Sequence, residues 1–202
     1  GGVSVSNNKA GIGEVHTTYV KDGYKAGKYI LSGNGNTILG HSAYSTTTSG
    51  SNLTNSSDNT AIGRDSMGGG WLNDGAGAES NTAVGSGTMA AIMNGANNNV
   101  AIGKAALAAV TTGDSNVAVG KDALLAVLAG STNSVVGRSA GAALTSGGGN
   151  TIMGQGAGLT TTDVDNTVII GKDACVAVLT GNGGADGTVA IGKSALTALT
   201  SG

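Results

Sequence analysis

Six of the ten cationic side chains, Arg64, Lys104, Lys121, Arg138, Lys172 and Lys193, each directly follow a glycine that closes a recurring five-residue motif. Brought into line, these cations would form a positive stripe able to hold an anionic surface glycan. Asp65, Asp122 and Asp173 stand immediately after three of them and would offset part of that charge. A solvated face or an inter-subunit row of ion pairs is the favoured reading, because regular charge on a repeat keeps it soluble.

Other chemistry is sparse. His16 and His41 are the two histidines, and no GxSxG, HExxH or phosphate-loop pattern stands in a fitting context. A glycosidase pair cannot be picked out from the scattered carboxylates. Gly181-Asn-Gly-Gly-Ala-Asp186-Gly faintly resembles a glycine-aspartate calcium repeat, but it occurs once and departs from that spacing. Asp163, Asp165 and Asp186 are expected in insertion loops, since a calcium cage needs several convergent oxygens. Cys175 is the single cysteine, so neither an intrachain disulfide nor a cysteine-based metal site can form. The expectation is no enzyme, no metal and no cofactor. Aromatic side chains offer a second kind of contact. Tyr19, Tyr24, Tyr29 and Tyr44 could make a carbohydrate-binding surface, and Trp71 lies in a glycine-rich excursion where it either tucks over the fold or touches a partner.

The elements that must position these residues follow from composition and repetition. Of 202 residues, 38 are glycine, none is proline or phenylalanine, and aromatics are 2% of the chain. A thick core built on large side chains is excluded by that arithmetic. Disorder fits poorly, because 39% of residues are hydrophobic, 11% are charged, and the apolar ones recur at fixed spacing. A net charge of −2 argues against nucleic acid, and no apolar run is long enough to insert in a membrane as a helix. The start, Gly1 to Ser6, has no initiator Met or signal pattern, which reads as a processed product or part of a longer polypeptide.

Nine copies of the motif end at Gly40, Gly63, Gly85, Gly103, Gly120, Gly137, Gly154, Gly171 and Gly192, at spacings of 23, 22, 18, 17, 17, 17, 17 and 21 residues. Typical copies are Asn59-Thr-Ala-Ile-Gly63 and Asn116-Val-Ala-Val-Gly120, and a weaker one stands at Ala10-Gly-Ile-Gly13. Each reads as a short strand ended by a glycine turn. The segment that follows, as in Lys104-Ala-Ala-Leu107-Ala-Ala-Val110, fits one or two helical turns or a second strand equally well. A 17-residue unit cannot bury its apolar side alone, so copies must stack, each strand pairing in parallel with its neighbours. The reading is a mainly β, parallel β-solenoid, or β-roll, of about 9–10 stacked coils, a rod roughly 45–50 Å long at the usual strand spacing. Absent proline fits a chain hydrogen-bonded on both sides, and absent Phe fits a narrow interior. Asparagines before the strands, Asn36, Asn59, Asn81, Asn99, Asn116, Asn133, Asn150 and Asn166, suit turns or a stacked amide ladder. Residues 1–33, with four lysines and three of the four tyrosines, read as an N-terminal cap or junction. A turn is expected at Val20–Tyr24, between strands His16–Val20 and Tyr24–Leu31. The solenoid then fills 34–202.

The Asn-Thr/Ser/Val-Ala/Val-Ile/Val-Gly motif, followed by Ala three residues later, resembles the head repeats of trimeric autotransporter adhesins and the related repeats of bacteriophage tail fibres. The resemblance covers about residues 34–202, with a coil longer here than in the adhesin heads. It implies a homotrimer displayed outside the cell, on a virion or a bacterial surface, with a host glycan or protein receptor as partner. The expected function is thus a structural and adhesive rod that projects a binding end. Loops at 44–58, 65–80, 93–99 and 181–187 would vary its surface, and surface contacts would come from Trp71, Tyr19, Tyr24, Tyr29, Lys104, Lys121 and Arg138. The competing reading is an extracellular filament or matrix subunit that polymerises end to end. Ice binding by threonine rows is weakened because Val100, Val117 and Ser134 interrupt them.

Overall fold

The computed structural model describes residues 20–22, 24–27, 33–45, 56–69, 77–91, 93–176 and 185–197. Ten three-residue strands form one parallel sheet in chain order: β1 (Val20–Asp22), β2 (Thr37–Leu39), β3 (Thr60–Ile62), β4 (Thr82–Val84), β5 (Val100–Ile102), β6 (Val117–Val119), β7 (Ser134–Val136), β8 (Thr151–Met153), β9 (Val168–Ile170) and β10 (Val189–Ile191). Motif residues sit in register, as Thr82, Ala83 and Val84 opposite Val100, Ala101 and Ile102. The protein is therefore a mainly β, parallel solenoid, with no helix among the described residues.

Two expectations need correction. Val20–Asp22, read as part of a hairpin turn, is strand β1 and pairs in parallel with Thr37–Leu39. The stacked sheet thus begins inside the segment assigned to a cap; residues 1–19 and 28–32 lie outside the described residues, as does the weak copy at 10–13. The signal was hidden because β1, Val-Lys-Asp, lacks the aliphatic pattern of the later strands. The segment after each glycine is neither helix nor strand. Its φ angles turn positive at the second and fourth residues past the glycine, as at Asp122 (59°) and Leu124 (48°). That alternation sends N–H groups to both neighbouring coils: Asp122 donates to Lys104 O (2.9 Å) and Leu124 to Ala140 O (3.1 Å). Twenty-one non-glycine residues of the described chain carry positive φ, including Leu, Met and Tyr side chains that ordinarily avoid it. Propensity rules miss this, because inter-coil hydrogen bonding overrides local preference.

The repeat glycines have φ between 124° and 144°, outside the range of ordinary L residues. A second constraint is steric. A Cβ on Gly120 would stand 2.5 Å from the Gly137 carbonyl oxygen of the next coil, so stacking itself demands glycine there.

The interior is one side chain deep on each wall. The middle residue of every strand from β2 to β10 is buried, and so is the fourth residue past the glycine from Tyr44 to Cys175, while Leu196 in the last coil is exposed. Sizes compensate across this thin core. Where the strand centre is Ala61, Ala83, Ala101 or Ala118, the facing position is Met67, Met89, Leu107 or Leu124. Where it is Val135, Ile152 or Ile169, the facing position shrinks to Gly141, Gly158 or Cys175. A Cβ on Gly141 would already lie 3.2 Å from both Ile152 Cδ1 and Leu124 Cδ2. From β3 to β9 the two positions compensate in size, as close packing requires, whereas in the β2 coil Ile38 and Tyr44 are both large and both buried.

Candidate functional site

Stacking at constant register turns each motif position into a line along the rod. Three lines bear on function.

The first follows the repeat glycine. Backbone bonds join its members coil to coil: Ser42 N–H donates to Tyr24 O (2.8 Å), Asp65 to His41 O (2.9 Å), Gly87 to Arg64 O (2.9 Å) and Ala105 to Ser86 O (3.0 Å). The line continues through Lys104, Lys121, Arg138, Gln155 and Lys172 to Lys193. The six cations expected in a stripe are thus brought together, and all six are exposed. Tyr24 and His41 head the same line, with ring centroids 5.4 Å apart and Lys25 Nζ 5.1 Å from the Tyr24 ring centre. Arg64 and Lys172 contact the neighbouring Asp65 (3.6 Å) and Asp173 (2.5 Å), and Lys121 contacts Asp122. These exposed pairs add little stability. Among the described residues Lys104, Arg138 and Lys193 have no such carboxylate partner, so positive charge concentrates there.

The second line is polar and buried. Asn36, Asn59, Asn81, Asn99, Asn116, Asn133 and Asn150 form a continuous amide ladder. Each Oδ1 accepts the backbone N–H of the next member, at 2.9–3.1 Å from Asn59 onward. From Asn81 to Asn150 each Nδ2 also donates back to the preceding Oδ1. Asn166, expected in this line, is exposed one residue earlier at φ 57°; Thr167 holds the ladder position and donates its hydroxyl to Asn150 Oδ1 (2.7 Å). Beside the second rung Tyr44, read as one of the tyrosines that could make a carbohydrate-binding surface, is fully buried with its hydroxyl 2.9 Å from Asn59 Nδ2. Burial pushes its phenol pKa up, and does the same to the buried Cys175 thiol.

Sequence reasoning missed a companion ladder of opposite polarity. Two residues before the Asn position, a side-chain oxygen of one coil accepts an N–H from the coil before it. Examples are Glu79 N–H to Asn97 Oδ1 (2.7 Å), Asn97 N–H to Asp114 Oδ1 (2.6 Å), Asp114 N–H to Ser131 Oγ (3.0 Å) and Asp165 N–H to Asp186 Oδ1 (2.9 Å). The clue was the run of short acceptors at that offset. Asp165 Oδ1 accepts the Gly148 N–H (2.7 Å) as Asp186 Oδ1 accepts that of Asp165, so both cap backbone, and Asp163 accepts from Ser146 Oγ (2.7 Å). Among the described residues no three His, Cys, Asp or Glu side chains converge as a metal group.

The third line is the outer face of the sheet. The first and third strand positions point away from the core, and in β2 to β10 none of them is charged. The third position is aliphatic throughout: Leu39, Ile62, Val84, Ile102, Val119, Val136, Met153, Ile170 and Ile191. Ile102 is 41% exposed and Met153 43%, high for aliphatic groups in a continuous row.

Tyr19, Tyr29, Trp71 and His16 lie outside the described residues, as do parts of the expected loops at 46–55, 70–76 and 181–184. In the loop at 93–99, Met93 and Ala96 are buried and serve the core.

No protein-family model matches the chain, and neither a curated protein nor a solved structure is significantly similar to it.

Proposed function

We propose that the chain is a structural and adhesive rod, a segment of a virion tail fibre or a bacterial surface adhesin, working outside the cell as a homotrimer. The observation that carries this reading is the unbroken aliphatic row at the third strand position on the uncharged outer face of the parallel sheet. A row from β2 to β10 spans eight strand spacings, roughly 38 Å. Contiguous apolar surface of that extent on a soluble protein marks an interaction site. Because the row runs the length of the sheet, the same face of several copies can converge on a common axis and be covered there. The resemblance of the motif to adhesin head repeats supplies the number three. The mechanism is mechanical: paired backbone, a regular thin core and bundled copies hold a receptor-binding surface away from the particle.

Two measurements test the reading. Sedimentation of the purified chain should give a closed trimer, and the Ile102→Lys/Val136→Lys variant, altered only on the outer face, should sediment as a folded monomer. Binding of the intact trimer to host or bacterial cells tests attachment. A monomer at high concentration, an open polymer, or a trimer indifferent to the two lysines would refute the assembly. A trimer that binds no cell surface would refute the adhesive role.

A further inference from the structure

The line of cations beyond the repeat glycines keeps its side chains in solvent although coil stacking forces like charges to neighbour one another. Successive members are about 4.8 Å apart, the spacing of adjacent strands, so Lys104, Lys121 and Arg138 repel along the row. The exposed ion pairs with Asp65, Asp122 and Asp173 relieve the repulsion at alternate places only. What remains is positive charge at Lys104 and Arg138, two coils or roughly 10 Å apart, and again at Lys193. At the head of the line stands Tyr24, 68% exposed in a chain with very few aromatics.

We infer that this line is a binding track for a linear acidic polysaccharide, laid along the rod axis with its carboxylate or sulfate groups on the cations. This deepens the adhesive reading, on which it rests, by naming the partner's chemistry. A line one residue wide running from coil to coil suits a single extended chain. Widely spaced charge suits a sugar polymer that carries its anions at intervals. Double-stranded DNA, with one charge per about 1.7 Å of axis, is too dense for a track interrupted by Asp65, Asp122 and Asp173 on a chain of net charge −2. At the end of the track the exposed Tyr24 ring, with Lys25 Nζ over it and His41 beside it, adds aromatic contact and one further cation.

The test uses the full chain, polygalacturonate as the probe, and neutral dextran and a DNA duplex as comparisons, all at low ionic strength. The expected result is binding to polygalacturonate that weakens steeply with salt. The Lys104→Gln/Lys121→Gln/Arg138→Gln variant should bind roughly tenfold more weakly, with a shallower salt dependence. The Asp122→Asn/Asp173→Asn variant should bind several-fold more tightly, because asparagine tolerates the left-handed backbone there while removing the competing charge. Circular dichroism confirms that both variants keep the fold. No binding to polygalacturonate, DNA bound as tightly, or unchanged affinity in either variant would overturn the inference. A chain that attaches to cells with its three cations replaced sinks the track and leaves the adhesive rod standing. Polysaccharide binding without cell attachment does the reverse.

Discussion

Removing one rung of the amide ladder should destabilise the rod far more than an ordinary surface substitution. Asn116 is the best place to test this, because residues 93–176 form an unbroken stretch around it. Its Nδ2 donates to Asn99 Oδ1 (3.1 Å) and Gly130 O (2.8 Å), and its Oδ1 accepts the backbone N–H and Nδ2 of Asn133, both at 3.0 Å. In Asn116→Ala the Asn133 Nδ2 keeps Gly147 O, and Asn99 Oδ1 keeps the Asn116 N–H. Two buried groups lose the bonds described here, the Asn133 N–H and the Gly130 carbonyl. At about 1–3 kcal/mol for each buried unsatisfied group, the loss is about 2–6 kcal/mol. Urea unfolding measures the global change, and native-state hydrogen exchange at the Asn133 amide reports the local one. An Asn116→Ala variant within 0.5 kcal/mol of the parent, in the range usual for surface changes, would refute the reasoning. So would an Asn133 amide that exchanges no faster.

Two further outcomes follow from the thin core and its buried titratable groups. Gly141→Leu should overpack against Ile152 and Leu124 by about 1–3 kcal/mol, with about 1–2 kcal/mol more for a side chain at φ 56°, and Ile152→Ala should cost about 2–5 kcal/mol. Because the introduced side chain enters the space vacated by the other, the double variant should lose less than the sum, a coupling read from a double-mutant cycle by denaturant unfolding. Additivity would mean that the two positions do not share one packing volume. Stability should also fall as pH rises past the ordinary tyrosine and cysteine ranges. The pKa values of Tyr44 and Cys175 are both raised in the folded chain, so there the unfolded state releases protons that the native state keeps. An alkaline absorbance titration should show Tyr44 ionising only with unfolding, and early, reversible ionisation of all tyrosines in the native rod would contradict its burial.

How much of this was legible beforehand differs by feature. The parallel stack, the strand positions from β2 onward and the asparagine row are visible because each is a repeated local pattern, and repetition survives in a linear text. The cation line is equally visible, since a constant offset from a repeated glycine becomes a constant place on the rod. β1 was hidden because Val-Lys-Asp has no aliphatic signature; its pairing comes from the coil above it. Tyr44 looked like a surface aromatic, and only the fold shows it buried with its hydroxyl accepting from the Asn59 amide in the ladder.

Composition and spacing alone determined that this protein is a narrow solenoid: absent Pro permits unbroken ladders, absent Phe fits a core one side chain deep, and glycines mark the corners. The tertiary structure decided the path between strands. Whether Ala-Leu-x-x-Val would coil as helix or extend as strand depended on partners in other coils, because the N–H of Leu124 finds its acceptor at Ala140 rather than within its own segment. Inter-coil hydrogen bonds placed leucine and methionine in the left-handed region, where no single-residue preference would put them. The same long-range contacts chose Gly141 and Gly158 opposite large strand centres, a pairing set by volume across the interior rather than by neighbours in sequence.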